Sequence, residues 1–94
     1  MTKPNKTQNA VFDSIRPIID AANIDYGVSM FGDDYYFRRR HKSDVYNLLI
    51  RPDGTLYFVH QKHGVKIAER EFDTNAEGAA SYFLDPNDVG AGKK

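Results

Sequence analysis

The chain contains no cysteine and no tryptophan. The first absence excludes disulfides, thiolate nucleophiles, iron–sulfur clusters and zinc sites built on cysteine. A small domain without disulfides must be held by its core, which suits a reducing compartment. Long apolar runs are lacking too: no stretch approaches the roughly 18 apolar residues of a membrane span. Met1-Thr2-Lys3-Pro4-Asn5-Lys6 carries positive charge, but no apolar segment follows it. No secretion signal is therefore read, and the cytoplasm is the expected location. An excess of one charge is also missing. Thirteen Lys and Arg balance thirteen Asp and Glu, whereas proteins held to nucleic acid mainly by phosphate contacts carry a basic excess. The glycines are dispersed and form neither G-x-x-x-x-G-K nor G-x-G-x-x-G, so no phosphate-cradling loop is expected. Ser14, Ser29, Ser43 and Ser81 all lie outside a G-x-S-x-G context.

What is present is a folded composition. Apolar residues make up 40% and charged residues 28% of 94 residues, which fits one domain spanning 1–94. Its termini, about 1–6 and 88–94, are expected to be loose. Val11, Phe12, Ile15, Ile18, Ile19 and Ala22 form one stripe at helical spacing, predicting a helix from Thr7 to near Asn23. Pro17 should kink it, unless Asp13 or Ser14 is the N-cap and Pro17 falls in a first turn. Five strand-like runs follow: 26–31, 35–40, 45–50, 55–60 and 65–72. They are separated by Gly32-Asp33-Asp34, the loop at 41–44, Arg51-Pro52-Asp53-Gly54 and Lys62-His63-Gly64. The apolar phase slips at Ala68, which predicts a bulge. Thr74-Asn75-Ala76-Glu77 reads as a capping box, with Thr74 as cap and Glu77 reaching back. It opens a helix whose stripe is Ala76, Ala79, Ala80, Phe83 and Leu84, and Pro86 ends it. Gly78 should weaken that helix. The expected fold is α+β, a two-layer antiparallel meander of about five strands in the order α-β-β-β-β-β-α, with both helices on one sheet face.

Chemistry is thinly marked. His60 and His63 lie near each other, with Asp53 and Glu69 the nearest carboxylates in sequence, but the spacing is not that of a zinc site, and no metal or other cofactor is expected. Asp33 and Asp34 are paired carboxylates at a hairpin tip. They read first as turn formers and second as contacts for a basic partner surface. No nucleophile, base and oxyanion donor assemble, so an enzyme is not expected. The most distinctive stretch is Tyr35-Tyr36-Phe37-Arg38-Arg39-Arg40-His41-Lys42. On a strand, Tyr35, Phe37 and Arg39 point one way and Tyr36, Arg38 and Arg40 the other, which mixes aromatics and arginines on both faces. Since two helices cover one face, some tyrosines should be exposed on the other. Tyrosine beside arginine is the mixture enriched in protein–protein contact patches.

The stretch Tyr46-Asn47-Leu48-Leu49-Ile50-Arg51-Pro52-Asp53-Gly54-Thr55-Leu56-Tyr57-Phe58-Val59, with Phe72 and Ala76-Glu77-Gly78-Ala79-Ala80-Ser81-Tyr82-Phe83-Leu84, resembles small immunity proteins of bacterial polymorphic toxin systems. The likeness is one of element order over residues 7–86. It implies an α+β chain that binds a cognate toxin domain and blocks its active site or a site beside it, with no shared catalytic residues to carry over. Many inhibitors of nuclease toxins are acidic. This chain is neutral with a basic stretch, which departs from that pattern. The expected function is thus a non-enzymatic immunity protein, with Asp33, Asp34, Tyr36, Arg38, Arg40 and Tyr57 as partner-binding candidates. The alternative is a small RNA or single-stranded DNA binding module using residues 35–42. No membrane partner is expected. A homodimer through a free sheet edge is compatible with either reading.

Overall fold

The computed structural model describes residues 3–85. Helix α1 spans Lys6–Ala21. Its stripe buries Ile15 and Ile19 completely and brings Val11, Phe12 and Ile18 against the core. Asn5 is its N-cap: the Asn5 side chain accepts from the Gln8 N–H at 2.7 Å, and the Asn5 N–H donates to Gln8 Oε1 at 2.9 Å. This reciprocal box fixes the helix start upstream of the expected Thr7. Asn5 also donates to the Pro52 carbonyl at 3.0 Å, so residues 5 and 6 belong to the fold and not to a loose terminus. Asp13 and Ser14 are inside the helix, and Pro17 lies within it, on an exposed face. The capping alternative for Pro17 is therefore not adopted. The tail at 88–94 and Pro86 lie outside the described residues.

Five strands form one antiparallel sheet in sequential order. They are β1 Gly27–Phe31, β2 Asp34–His41, β3 Asp44–Ile50, β4 Leu56–Lys62 and β5 Val65–Asp73. Tyr26 precedes β1 and is not part of it. The loop expected at 41–44 is tighter than its polar sequence suggests: His41 pairs with Asp44, leaving a two-residue turn in which Lys42 takes φ 58°. The longer connection between β3 and β4 is closed by Arg51, whose N–H donates to the Thr55 carbonyl at 2.9 Å. Gly54 is required there on two counts. Its φ is +90°, and a Cβ would lie 2.8 Å from Thr7 Cγ2, so the loop can rest on α1 only without a side chain. The bulge read at Ala68 is present: pairing with β4 slips between His60 and Gln61, skipping Ile67. A second slip between Leu56 and Tyr57 skips Phe72.

Helix α2 spans Ala76–Leu84. Its cap is Asn75, not Thr74: the Asn75 side chain accepts from the Gly78 N–H at 3.0 Å. The register is one residue later than the expected box, so Gly78 occupies the third helical position and no side chain there reaches back. A Cβ on Gly78 would sit 2.4 Å from Asn75 Nδ2. The glycine therefore makes room for the cap, which offsets its poor helix propensity.

Both helices pack against the same side of the sheet and against each other. The layer between them holds Phe37 of β2, Tyr46, Leu48 and Ile50 of β3, Leu56 and Phe58 of β4, and Ala79, Ala80, Tyr82 and Phe83 of α2. Phe12 stacks on Tyr35 and Phe37 at 4.9 and 4.7 Å between centroids, and Phe58 meets Tyr82 edge-on at 4.8 Å. One sheet face is thus closed, and among the described residues no element covers the other.

Candidate interaction face

Alternation along each strand decides what reaches the uncovered face. Tyr46, Leu48 and Ile50 point to the helices, so Val45, Asn47 and Leu49 point away. The register aligns these residues into rows. One row runs Ser29, Tyr36, Leu49, Tyr57 and Glu71; the next runs Gly27, Arg38, Asn47, Val59 and Glu69. Between β1 and β4 the face dips into a depression of about 250 Å³ lined by Phe31, Tyr36, Arg38, Asn47, Leu49, Val59 and Gln61.

The polar groups of this depression are already fixed. Asn47 is only 6% exposed although it faces outward. Arg38 Nε donates to Asn47 Oδ1 at 2.8 Å, and Asn47 Nδ2 donates to Gln61 Oε1 at 3.3 Å. The Arg38 guanidinium also lies 5.2 Å from the Tyr36 ring centroid. The chain of bonds holds arginine, amide and ring in one arrangement, so a ligand meeting them has less side-chain freedom to freeze. On the β5 side, Arg51 forms a two-pronged ion pair with Glu71, both contacts at 2.8 Å, and its guanidinium stands 4.8 Å over the Tyr57 ring. Tyr57 donates to Glu69. The Arg51 hydrogen bond holds the Glu71 carboxyl below its ordinary range. The face therefore runs from arginines on β2, across aromatic and aliphatic side chains, to glutamates on β5.

Of the expected binding residues, Tyr36 and Arg38 line the depression, and Tyr57 continues the row of Tyr36 and Leu49 beyond it. Arg40 shares the face further along β2, opposite Val45. Asp34 is on the same side, at the start of β2. Asp33 is not part of the face. It sits in the turn, where its carbonyl accepts from the buried Gln8 side chain at 2.7 Å. Phe31, Asn47, Leu49, Val59 and Gln61 complete the site and were not singled out from the sequence. Their signal was the alternation itself, which fixes Asn47 and Leu49 as outward once Leu48 is taken as core.

Arg39 leaves the basic stretch altogether. Its Nε donates to the Phe83 carbonyl at 2.9 Å and its Nη2 to the Leu84 carbonyl at 3.1 Å. The guanidinium also lies 4.2 Å over the Tyr46 ring. It closes the C-terminal end of α2, whose last carbonyls lack helical partners. Burial pushes its pKa below the ordinary guanidinium value. His60 pairs with Asp44, at 2.9 Å, and not with Asp53 or Glu69, because Asp44 lies two residues along β3, on the same face, from its cross-strand neighbour Tyr46. No group of three or more His, Asp or Glu that could hold a metal ion occurs among the described residues. No helix there is long and apolar enough to cross a membrane.

Comparison with family models, with curated proteins and with solved structures found no match to this chain.

Proposed function

We propose that the protein is a non-enzymatic binding module whose uncovered sheet face docks one protein partner, and that the partner is a bacterial toxin domain it neutralises. The observation that carries the reading is the composition and preorganisation of that face. Tyr36, Tyr57 and Leu49 offer anchors around an aliphatic dip, and Arg38, Asn47 and Gln61 are locked by their own hydrogen bonds. Such anchors supply most of the affinity of a protein interface, while fixed polar groups supply orientation. The toxin assignment adds the resemblance in element order to small immunity proteins. The diversion of Arg39 to α2 weakens the nucleic-acid alternative, since one of the three consecutive arginines of the basic stretch is engaged within the fold.

The test is co-expression with toxin domains encoded beside the gene. Growth protection and a stable complex are expected with one of them. Tyr36→Ala and Tyr57→Ala should each weaken the complex by roughly thirtyfold, the scale of a 2 kcal/mol anchor, with unchanged circular dichroism. Protection that survives loss of both rings contradicts the proposed face. Strong, salt-dependent binding to single-stranded RNA without any protein complex replaces this reading with the alternative.

A further inference from the structure

The two edges of the sheet are built differently. Strand β5 interrupts its pairing at two bulges and carries Lys66, Glu69, Arg70, Glu71 and Asp73, features that discourage a further strand. Strand β1, Gly27-Val28-Ser29-Met30-Phe31, has regular pairing with β2 and no charged side chain. Phe31 is 74% exposed and Val28 40% exposed. We propose that β1 is a self-association edge: two copies pair their β1 strands antiparallel about Ser29, joining the two sheets into one.

Three observations converge on this register. Phe31 and Asp34 close a two-residue turn, so they exchange backbone hydrogen bonds, as do Ser29 with Tyr36 and Gly27 with Arg38 in the alternating antiparallel pattern. Val28 and Met30 therefore aim their N–H and C=O groups outward. A two-fold axis at Ser29 sets Val28 opposite Met30 of the second copy, which matches outward donor to outward acceptor on both. The same register sets Phe31 of one copy against Gly27 of the other, where the missing Cβ leaves space for the ring. Charge supplies the third. The hairpin of β1 and β2 has Asp33 and Asp34 at its tip. At its base is a depression of about 330 Å³ lined by Arg38, Arg39, Arg40, Tyr26, Gly27 and Asp25. Antiparallel pairing carries the acidic tip of each copy toward the arginine-lined base of the other; parallel pairing would align like with like. Even with Arg39 turned to α2, Arg38 and Arg40 outnumber Asp25 there. A five-residue edge buries less than a standard interface, so the dimer is weak and concentration-dependent.

The test needs no toxin, so its failure leaves the proposed function untouched. Sedimentation velocity on the full chain at concentrations up to about 1 mM should show reversible dimerisation. Ser29→Lys places two like charges opposite each other at the axis and should raise the dimer dissociation constant about fivefold or more. Ser29→Glu should do the same, and an equimolar mixture of the two variants should associate more tightly than either alone. Val28→Pro removes only an outward N–H and should also weaken the dimer. A wild-type chain that stays monomeric throughout overturns the proposal. So do Ser29→Lys and Val28→Pro variants that associate as the wild type does.

Discussion

The Arg39 side chain shows what one residue does when alternation turns it inward. It reaches the last two carbonyls of α2 and lies over Tyr46, while Arg40, one position on, is exposed. Hydrogen bonds from a charged donor to the last carbonyls of a helix, together with a cation–π contact, stabilise by about 2–3 kcal/mol. Arg39→Ala should lower unfolding stability by about that amount in a urea titration, and Arg40→Ala should change it by less than about 0.5 kcal/mol. Equal effects would contradict the assignment. The sequence allows half of this to be read. Period-two spacing groups Arg39 with Tyr35 and Phe37, hence with the helices. That it meets Phe83 and Leu84 depends on where α2 stops above the sheet, and no local pattern encodes that. His60 is the same kind of case: its nearest carboxylates in sequence are not its nearest in space, because strand pairing brings Asp44 beside it.

At the scale of elements, order and type follow from apolar periodicity and turn residues, and the caps do not. Thr74 and Asn75 are both competent caps, and the choice fell on Asn75 because Gly78 leaves space for its side chain. The start of α1 was harder to read, since Asn5-Lys6-Thr7-Gln8 is wholly polar. The capping side chain Gln8 is nonetheless buried, and its Nε2 donates to the carbonyls of Asp33 and Ile50 at 2.7 and 2.8 Å. It fastens α1 to the β1–β2 turn and to the end of β3. Gln8→Leu keeps the bulk and strands both carbonyls, so a loss of about 2–3 kcal/mol is expected in the same titration. Pro17 acts in the opposite direction. It removes one backbone donor from an exposed position in α1, and Pro17→Ala should raise stability by about 1–3 kcal/mol. A destabilised Pro17→Ala variant would show that the proline is needed to shape α1 against the sheet.

For the whole molecule, formal charge balance hides a distribution in which several ionisable groups favour the folded state from both ends of the pH scale. Asp44 is held below its ordinary 3.8 by the hydrogen bond from His60, Asp53 below 3.8 by Thr55, and Glu71 below 4.5 by Arg51. Their folded values are depressed, so the unfolded chain binds more protons as pH falls through that range. The stability they contribute is present above the ordinary values and is lost progressively beneath them. Tyr46 is raised above 10.0 by burial, and Tyr26 by its hydrogen bond to Asp20. Their contribution is complete below 10.0 and is lost as pH rises through the raised values. Urea midpoints should therefore form a plateau between the ordinary carboxylate values and that of tyrosine, falling on both sides. Asp44→Asn should flatten the acid limb, and Tyr46→Phe should move the alkaline limb upward. Because the acid-sensitive pairs sit on strands β3 and β5 and in the β3–β4 loop, while the core layer has no carboxylate, the acid loss should be gradual. A sharp collapse near neutral pH would instead require a buried histidine or carboxylate, and the core of the described residues holds neither.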